Sequence, residues 1–345
     1  MPLSEVSIAL TTYNGARFLR EQLASLAGQT ILPAELVVSD DGSTDDTLNI
    51  VRDFAAAAPF PVRIADKPDR LGFSDNFLFA AERCRHELVA FCDQDDVWLP
   101  SKIESALRRV HDDGSLLALH THILTDENLK PFGHWKQDIV GDRAYEPLEL
   151  DPYATGWGNS MLFRRELLGL VARERRPRQP EQAHRPLSHD TWIYMLAAAL
   201  GRVSHMTAPL ILYRQHGTNS VGFGPAKRWR RLAQAASVPV ARYREHAAIN
   251  GLMAGLFDEI ARRHGPFSPQ ADQAAARFRE REALQAARAD VFVGRGIFAR
   301  LHAYRASQRL AGPTRPWIGS RVKDLALGVT GLHAFARSAS GGGGS

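Results

Sequence analysis

Short apolar runs alternate with segments of helical periodicity through the first 115 residues. Four of these runs predict strands, at residues 6–10, 35–39, 62–65 and 89–92. Between them, apolar residues recur at every third or fourth position, which predicts helices. This alternation predicts an α/β fold with a doubly wound, mostly parallel sheet.

Polar residues follow three of these strands at the point where each ends. They form the groups at residues 11–14, 40–42 and 93–96. Because the carboxyl ends of parallel strands lie at one edge of a sheet, we expect these groups to face a common crevice. Hydroxyl and carboxylate groups gathered there suit a nucleotide, and the carboxylates suit a metal ion on its phosphates.

Three carboxylates stand close together after the fourth strand. Asp93, Asp95 and Asp96 would repel one another, and a divalent cation is the simplest counter-charge. So few hard oxygen ligands suit Mg²⁺ or Mn²⁺ completed by water and phosphate. An acidic turn that caps the following helix is the alternative, because Asp-x-Asp tripeptides are common in loops.

Missing motifs exclude two classes of nucleotide-binding protein. A dinucleotide-binding fold needs Gly-x-Gly-x-x-Gly in its first turn, and residues 11–17 contain no such series. A P-loop enzyme needs Gly-Lys-Ser/Thr, which the sequence also lacks. A nucleotide at this crevice is therefore held in another way.

The second half continues the pattern and then changes character. An apolar helix over residues 193–200 places Asp190 in its first turn, and a strand over 210–213 leads into Arg214 and His216. Beyond residue 224 the alternation ends, and the pattern predicts helices at 242–264, 270–289 and 298–310. The predicted domains are 1–224, with halves 1–115 and 116–224, then a helical region 225–337 and a flexible linker or tag remnant at 338–345.

The net charge of +5 on the 345-residue chain hides an uneven distribution. Residues 225–337 contain 20 Lys/Arg and 8 Asp/Glu, so this region carries +12 and the remainder −7. Such a surface suits anionic lipid, nucleic acid or a phosphorylated substrate, and a solvated helix face is the alternative. No nucleic-acid-binding motif accompanies the arginines, so nucleic acid is not expected as a partner.

The two cysteines and the start of the chain indicate a compartment. Cys84 and Cys92 lack metal-ligand spacing and are interpreted as reduced core residues. The first residues lack a signal-peptide pattern, and no apolar stretch has the length of a membrane span. The expected location is the cytoplasm, with a peripheral contact at the inner face of the membrane through the basic region.

Six short motifs follow one another over roughly 220 residues. They are Thr11-Thr12-Tyr13-Asn14, Val38-Ser39-Asp40-Asp41-Gly42-Ser43-Thr44-Asp45, Asp93-Gln94-Asp95-Asp96-Val97-Trp98, Gly156-Trp157-Gly158-Asn159-Ser160-Met161, His189-Asp190-Thr191-Trp192 and Tyr213-Arg214-Gln215-His216-Gly217-Thr218-Asn219. In this order they resemble the family 2 glycosyltransferases with the GT-A fold. The combination is similar to the rhamnosyltransferase-type branch that builds bacterial surface polysaccharides. The resemblance implies a GT-A sheet whose residues 1–115 bind a nucleotide-sugar and whose residues 116–224 bind the acceptor and catalyse transfer.

The resemblance also implies which residues bind a dTDP- or UDP-sugar donor. It implies that Asp40 bonds the pyrimidine ring, that Thr11 and Tyr13 line the base pocket, and that Asp93 lies near the ribose. Helix capping is the alternative for Asp40 and Asp41. The full donor-binding set is Thr11, Tyr13, Asp40, Asp41, Arg70, Asn76, Asp93, Gln94 and Arg214.

The same resemblance implies the catalytic and metal-binding residues. Asp95 would bind Mg²⁺ or Mn²⁺ directly, and His216 would complete the site or lie in a loop over the diphosphate. Asp190 would be the general base of an inverting transfer. The alternative for Asp190 is a favourable interaction with the helix dipole.

The implied acceptor is a glycan or lipid-linked glycan. The acceptor-binding residues are Trp98, Gly156, Asn159, His189 and Trp192. The predicted function is metal-dependent inverting transfer of a sugar, L-rhamnose from dTDP-rhamnose by the branch resemblance, in polysaccharide biosynthesis of the O-antigen or capsule type. The alternatives are a sugar-1-phosphate nucleotidylyltransferase and a catalytically silent nucleotide-sugar-binding scaffold.

Overall fold

Two compact units make up the chain. The computed structural model describes residues 5–66, 69–153, 156–179, 182–217, 240–263, 265–311 and 324–330. One unit is Met1–Arg176 with Leu187–Phe223, and the other is Pro177–Pro186 with Gly224–Ser345, so the second takes in a segment that the predicted boundary at residue 224 does not anticipate. The motif residues Thr218 and Asn219 and the predicted linker 338–345 lie outside the described residues.

Twelve strands and eight α-helices are found in the described residues. The strands are β1 Val6–Thr12, β2 Glu35–Asp40, β3 Val62–Ile64, β4 Leu88–Cys92, β5 Val97–Trp98, β6 Leu117–Thr125, β7 Pro131–Trp135, β8 Arg143–Tyr145, β9 Met161–Arg164, β10 Arg178–Gln179, β11 Gln182–Pro186 and β12 Val203–Arg214. The helices are α1 Ala16–Ala27, α2 Thr47–Ala57, α3 Phe73–Glu82, α4 Lys102–Asp113, α5 His189–Leu200, α6 Val240–Arg263, α7 Ser268–Val293 and α8 Ile297–Leu310.

The first unit is built on one sheet with the strand order β3-β2-β1-β4-β9-β6-β12-β5. The four predicted strands, β1 to β4, all run parallel at one side of it. The α/β, doubly wound and mostly parallel architecture is therefore confirmed. Their register pairs Thr12 with Asp40 and Leu10 with Cys92, so the three polar strand ends lie at one edge.

The other half of the sheet is mixed. Strand β9 runs antiparallel to both β4 and β6, and β6 runs parallel to β12. The short strands β5 and β8 pair antiparallel with β12, while β7 pairs with β6. The end of β12 is thereby brought beside the loop that follows β4, because Ile211 and Leu212 pair with Trp98 and Val97.

Apolar side chains hold the helices against the sheet. Leu19, Leu23 and Leu26 on one face of α1 are buried in a core cluster that also contains the interior residues of β1, β2 and β4. Burial of such side chains stabilises the fold by about 1.5–3 kcal/mol each. Packing on this face fixes the turn between β1 and α1, which is part of the site described below.

The second unit contains α6, α7, α8 and the hairpin β10–β11. Tyr243, Phe292 and neighbouring apolar residues form its own core. In this core the Arg288 guanidinium pairs with Asp324, at 2.7 Å between Nε and Oδ2, and both contact the Tyr243 hydroxyl. Among the described helices, none has both the length and the apolar character needed to span a bilayer.

Candidate functional site

Loops from distant parts of the chain are joined at the carboxyl edge of the sheet. The Gln94 side chain accepts a hydrogen bond from the Tyr13 backbone N–H at 2.9 Å and donates one to the Tyr13 carbonyl at 3.1 Å. A Cβ on Gly15 would come within 2.1 Å of the Gln94 Oε1 atom. A larger residue at position 15 would therefore displace the Gln94 side chain from its two bonds to Tyr13 and separate the turn after β1 from the loop at residues 93–96, which we call the carboxylate loop.

Asp40 organises the loop after β2. Its Oδ1 accepts from the hydroxyls of Thr12 at 2.7 Å and Ser43 at 2.5 Å, and its Oδ2 accepts from the backbone N–H groups of Gly42 and Ser43 at 3.0 and 2.8 Å. A carboxylate has about four acceptor positions, so these bonds occupy its usual capacity. The loop-capping alternative for Asp40 thus has a structural basis, and base recognition stays a prediction.

Asp41 and Arg70 connect the same loop to the start of α3. The buried Asp41 carboxylate accepts from the backbone N–H groups of Leu71 at 2.8 Å and Gly72 at 2.9 Å. The Arg70 guanidinium lies 4.2 Å from the Tyr13 ring centroid and 3.9 Å from Asp41. Tyr13 and Arg70 are exposed, so this stacked pair can contact a ligand at the crevice.

Asn76 lies below the crevice rather than in it. The side chain is buried, with Oδ1 accepting from the Ser39 hydroxyl at 2.6 Å and Nδ2 donating to the Ser39 carbonyl at 2.9 Å. Both bonds tie α3 to β2. Because of this burial, the predicted donor contact by Asn76 is not supported by its position.

The carboxylates after β4 lie close enough to perturb one another. Removal from water, and then the charges of Asp96, Asp95 and Asp190, raise the pKa of Asp93. Asp96 is fully buried, and burial and the Asp95 charge raise its pKa to about 8. Its carboxylate accepts from Asn159 Nδ2 at 2.7 Å and from the Arg214 backbone N–H at 3.1 Å. Asp96 is therefore a structural acid, whereas Asp93 and Asp95 are half-buried at the crevice.

His216 meets Asp95 at this edge. Its Nε2 lies 2.9 Å from Asp95 Oδ2, and its ring packs on Phe18 of α1 at 4.8 Å between centroids. The described residues contain no group of three or more His, Cys, Asp or Glu side chains placed to hold a metal ion. The pair offers one carboxylate and one imidazole donor, which fits an open site that phosphate and water would complete.

Arg214 holds the loops together from inside the protein. Its guanidinium side chain is 2% exposed. It donates to the Asp95 carbonyl at 2.8 Å from Nε, to the Glu127 carbonyl and to the Glu21 carboxylate. The expected contact of Arg214 with the donor diphosphate does not fit this burial.

Asp190 lies in the first turn of α5, as the sequence predicts. Its Oδ1 accepts from the Ser188 hydroxyl and from the Thr191 backbone N–H at 2.7 Å. The charge of Asp190 contributes to the raised pKa of Asp93. A Cβ on Gly158 would lie 3.5 Å from Asp190 Cβ, and the next residue, Asn159, donates to Asp96. The structure thus brings the acid of α5 to the same edge as the carboxylate loop.

The predicted acceptor-binding residues are all buried, so they support the site rather than face it. Trp98 belongs to the core cluster, and the ring of His189 stacks on Phe77 at 4.1 Å between centroids. A Cβ on Gly156 would meet Leu119 at 2.9 Å. The five residues of this buried set are Trp98, Gly156, Asn159, His189 and Trp192.

A buried polar network that the sequence does not reveal supports the carboxylate loop. Lys102 Nζ donates to the Asn159 carbonyl and lies 3.7 Å from the Trp98 ring centroid, and burial lowers its pKa to about 7. His122 Nε2 lies 2.8 Å from Asn159 Oδ1. Lys102 occupies an ordinary helix position and His122 an ordinary strand position, so neither carries a motif signal.

Comparison with known proteins gives a family match and a fold match. The family model Glycosyl transferase family 2 matches residues 7–170. The dTDP-rhamnosyl transferase RfbG of Shigella flexneri is 26% identical over 220 residues, covering 62% of this chain and 73% of that protein. An uncharacterized glycosyltransferase of Nostoc sp. is 29% identical over 223 residues, covering 63% of this chain and 66% of that protein.

A solved structure shares the fold at low sequence identity. The crystal structure of S. aureus TarS 1–349 in complex with UDP-GlcNAc aligns with a TM-score of 0.52 at 17% identity. The alignment covers 98% of this chain and 92% of that one. The likeness shows that the two chains share the sheet-and-helix architecture.

Proposed function

We propose that this chain, whose residues 7–170 match the family model Glycosyl transferase family 2, is a glycosyltransferase that transfers a sugar with inversion from a nucleoside-diphosphate sugar. The observation that carries the proposal is the contact of His216 with Asp95 at the carboxyl edge of the sheet, where the Asp190 charge also contributes to the raised pKa of Asp93. Ligands bind at this edge in open α/β sheets.

The donor site is assigned to the crevice between the loops after β1, β2 and β4. Tyr13 and Arg70 are exposed there and stacked, which suits the flat face of a base. Thr11 and Asp40 form the wall behind them, and Asp93 lies towards the ribose. A pyrimidine nucleotide, dTDP or UDP, is the proposed carrier, and the dTDP-rhamnosyl transferase relative favours L-rhamnose as the sugar.

A divalent cation, Mg²⁺ or Mn²⁺, is proposed at Asp95 and His216. The carboxylate and the imidazole fit such an ion, since the two donors lie at the edge of the sheet with room left for phosphate oxygens and water. When bound, the ion would stabilise the negative charge that develops on the leaving diphosphate.

Asp190 is proposed as the general base. Its carboxylate takes the proton from an acceptor hydroxyl while that oxygen forms a bond to the anomeric carbon of the sugar. The bond from this carbon to the diphosphate oxygen breaks on the opposite face, and the electron pair leaves with the nucleoside diphosphate. Hydrogen bonds from Ser188 and Thr191 hold the Asp190 carboxylate in place for this step.

The acceptor and the setting complete the proposal. The acceptor is a glycan or lipid-linked glycan in bacterial polysaccharide biosynthesis, and the enzyme works in the cytoplasm.

We also propose peripheral contact with an anionic membrane through the turn between α7 and α8. Val293, Ile297 and Phe298 are 44%, 58% and 86% exposed there, and residues 291–311 contain four arginines and no Asp or Glu.

A thermal-shift screen tests the donor assignment. dTDP-, UDP- and GDP-sugars are each added to the full chain with Mn²⁺, with Mg²⁺ and with EDTA, since a ligand of the native state raises its melting temperature. We expect a dTDP- or UDP-sugar to stabilise the protein more strongly with the metal, and a Tyr13→Ala variant to lose most of that shift. Stabilisation by GDP-sugars alone would contradict the proposed carrier, and equal shifts in EDTA would contradict the metal.

A further inference from the structure

Two tryptophans form an aromatic wall at the acceptor side of the first unit. Trp135 ends β7 and Trp157 precedes the turn at Gly158–Ser160, with their ring centroids 6.1 Å apart and their planes inclined at 63°. Both are half-buried, in contrast to Trp98 and Trp192, which are buried. We call Trp135 and Trp157 the aromatic wall.

Buried side chains hold the aromatic wall in position. The ring of Tyr213 in β12 lies edge-to-face with Trp157 at 5.2 Å between centroids, and His122 in β6 lies 6.2 Å from Trp157. Gln137 accepts a hydrogen bond from the Trp157 backbone N–H at 2.6 Å and donates to Ser160 Oγ at 2.9 Å. A rigid ring of this kind can bind a ligand with little further loss of conformational entropy.

The aromatic wall adjoins both candidate catalytic centres. Gly158, next to Trp157 in the chain, lies so close to α5 that an added Cβ would be 3.5 Å from Asp190 Cβ. The ring that supports Trp157, Tyr213, immediately precedes Arg214, whose backbone N–H donates to Asp96 after β4 at 3.1 Å. Trp157 is therefore connected both to the first turn of α5 and to the carboxylate loop.

We propose that Trp135 and Trp157 bind a pyranose ring of the glycan acceptor. The inference rests on the proposed function, because it takes Asp190 as the base that receives the acceptor proton. A pyranose presents an apolar C–H face that packs on an aromatic ring, while its hydroxyls stay available for polar groups. Two inclined rings suit a sugar held on one face and at one edge, with a hydroxyl directed towards Asp190.

The burial of the predicted acceptor residues favours this assignment. Trp98, Asn159 and Trp192 are each 2% exposed and offer almost no surface to an acceptor, whereas Trp135 and Trp157 are half-buried. Sequence reasoning missed Trp135 because its motif signal is weak, and it passed over Trp157 within the motif at 156–161. A partly exposed tryptophan pair fixed by buried neighbours is the structural signal.

A kinetic experiment compares the aromatic wall with an exposed aromatic residue of the same strand. Trp135→Ala and Trp157→Ala are compared with Phe132→Ala, because Phe132 lies three residues before Trp135 in β7 and is 60% exposed. The donor identified by thermal shift is supplied with and without methyl α-L-rhamnoside, methyl β-D-galactoside and N-acetylglucosamine methyl glycoside, and nucleoside diphosphate release is measured.

We expect the Trp variants to raise the acceptor KM by about tenfold or more, with acceptor-free donor hydrolysis unchanged. Phe132→Ala should behave as the parent in both assays. An equal loss of hydrolysis and transfer in the Trp variants would overturn a specific role in acceptor binding. An unchanged acceptor KM in both Trp variants would overturn the proposal that the aromatic wall binds the acceptor. Trp157→Phe, which keeps an aromatic face, should recover most of the affinity.

A binding measurement separates the aromatic wall from the proposed reaction. The full chain, which has six tryptophans, is labelled with 5-fluorotryptophan, and its fluorine NMR signals are assigned with single Trp→Phe variants. The same glycosides should shift the Trp135 and Trp157 signals saturably and leave Trp98 and Trp192 in place. If these signals shift but no sugar transfer is detected, the aromatic wall binds glycosides and the proposed function is contradicted. If neither signal shifts saturably, the proposal that the aromatic wall binds a glycan is overturned.

Discussion

His189 acts from inside the protein, although its position in a motif suggested an acceptor contact. Its ring stacks on Phe77 and meets the edge of Phe91, and burial lowers its pKa to about 4. The unfolded chain, in which histidine titrates near its ordinary pKa, therefore binds more protons than the native state between about pH 4 and 6.5. The contribution of the neutral His189 to the free energy of unfolding is therefore fully present above pH 6.5. It is lost as the pH falls towards 4.

We expect His189→Phe to reduce the acid sensitivity of folding. The parent should lose about 2 kcal/mol more unfolding free energy than the variant between pH 7 and pH 5, because the phenyl ring takes up no proton. Urea unfolding at the two pH values measures this difference. A packing cost of the larger ring applies at both pH values and cancels, so equal losses in parent and variant would contradict the assignment.

Arg214 shows how a residue of the correct type can have the wrong environment for its expected role. We expect Arg214→Ala to lower the unfolding free energy by about 2–4 kcal/mol, because the Asp95 and Glu127 carbonyls lose a buried donor. Arg17→Ala is the control, since Arg17 forms an exposed ion pair with Glu127 and should cost less than about 1 kcal/mol. If Arg214→Ala instead leaves the unfolding free energy unchanged and raises the donor KM, the predicted contact of Arg214 with the donor diphosphate would be supported.

At the scale of elements, the sequence predicts the parallel half of the sheet better than the mixed half. Strands β1, β2 and β4 are continuous apolar runs followed by polar turns, so their periodicity and their shared edge could both be anticipated. Strands β5 and β9 are short and depend on pairing with distant partners. Local pattern carries no such information, so the burial of the predicted acceptor residues could not be anticipated from the sequence.

The turn at Gly158–Ser160 links the carboxylate loop to α5. Asn159 bonds Asp96, and a Cβ on Gly158 would lie 2.7 Å from His189 Nε2. We expect Gly158→Ala to displace the start of α5 and lower kcat by about 10- to 100-fold, with donor affinity nearly unchanged. Gly141→Ala, where an added Cβ meets nothing within 4 Å, should keep the parent kcat in the same transfer assay. A parent-like Gly158→Ala would contradict this linkage.

At the scale of the whole molecule, charge separates the two parts of the chain. The basic region beyond residue 224 was evident from composition, but the exposed apolar turn at Ile297 and Phe298 could not be predicted, because exposure depends on how α7 and α8 pack. An apolar tip in an acid-free, arginine-bearing segment suits the interface of an anionic bilayer.

We expect sedimentation with vesicles to reveal this contact. The parent should bind vesicles of phosphatidylcholine with phosphatidylglycerol and should bind pure phosphatidylcholine weakly. An Ile297→Ser, Phe298→Ser double variant should lose most of the binding, whereas Leu252→Ser, which alters an exposed apolar residue on α6, should keep it. Loss of binding in both variants, or equal binding to neutral vesicles, would contradict a specific contact by the turn.

In the proposed reaction, Asp190 takes the acceptor proton beside a cation-bound donor. Asp190→Asn keeps the size of the side chain and an oxygen that can accept from Ser188 and Thr191, but an amide cannot serve as the base. Asp112→Asn on the exposed face of α4 is the control. Transfer is measured with the donor that stabilises the parent. We predict that Asp190→Asn keeps the donor-dependent thermal shift and loses about 10²–10⁴-fold in transfer rate, and transfer near the parent rate would contradict the account.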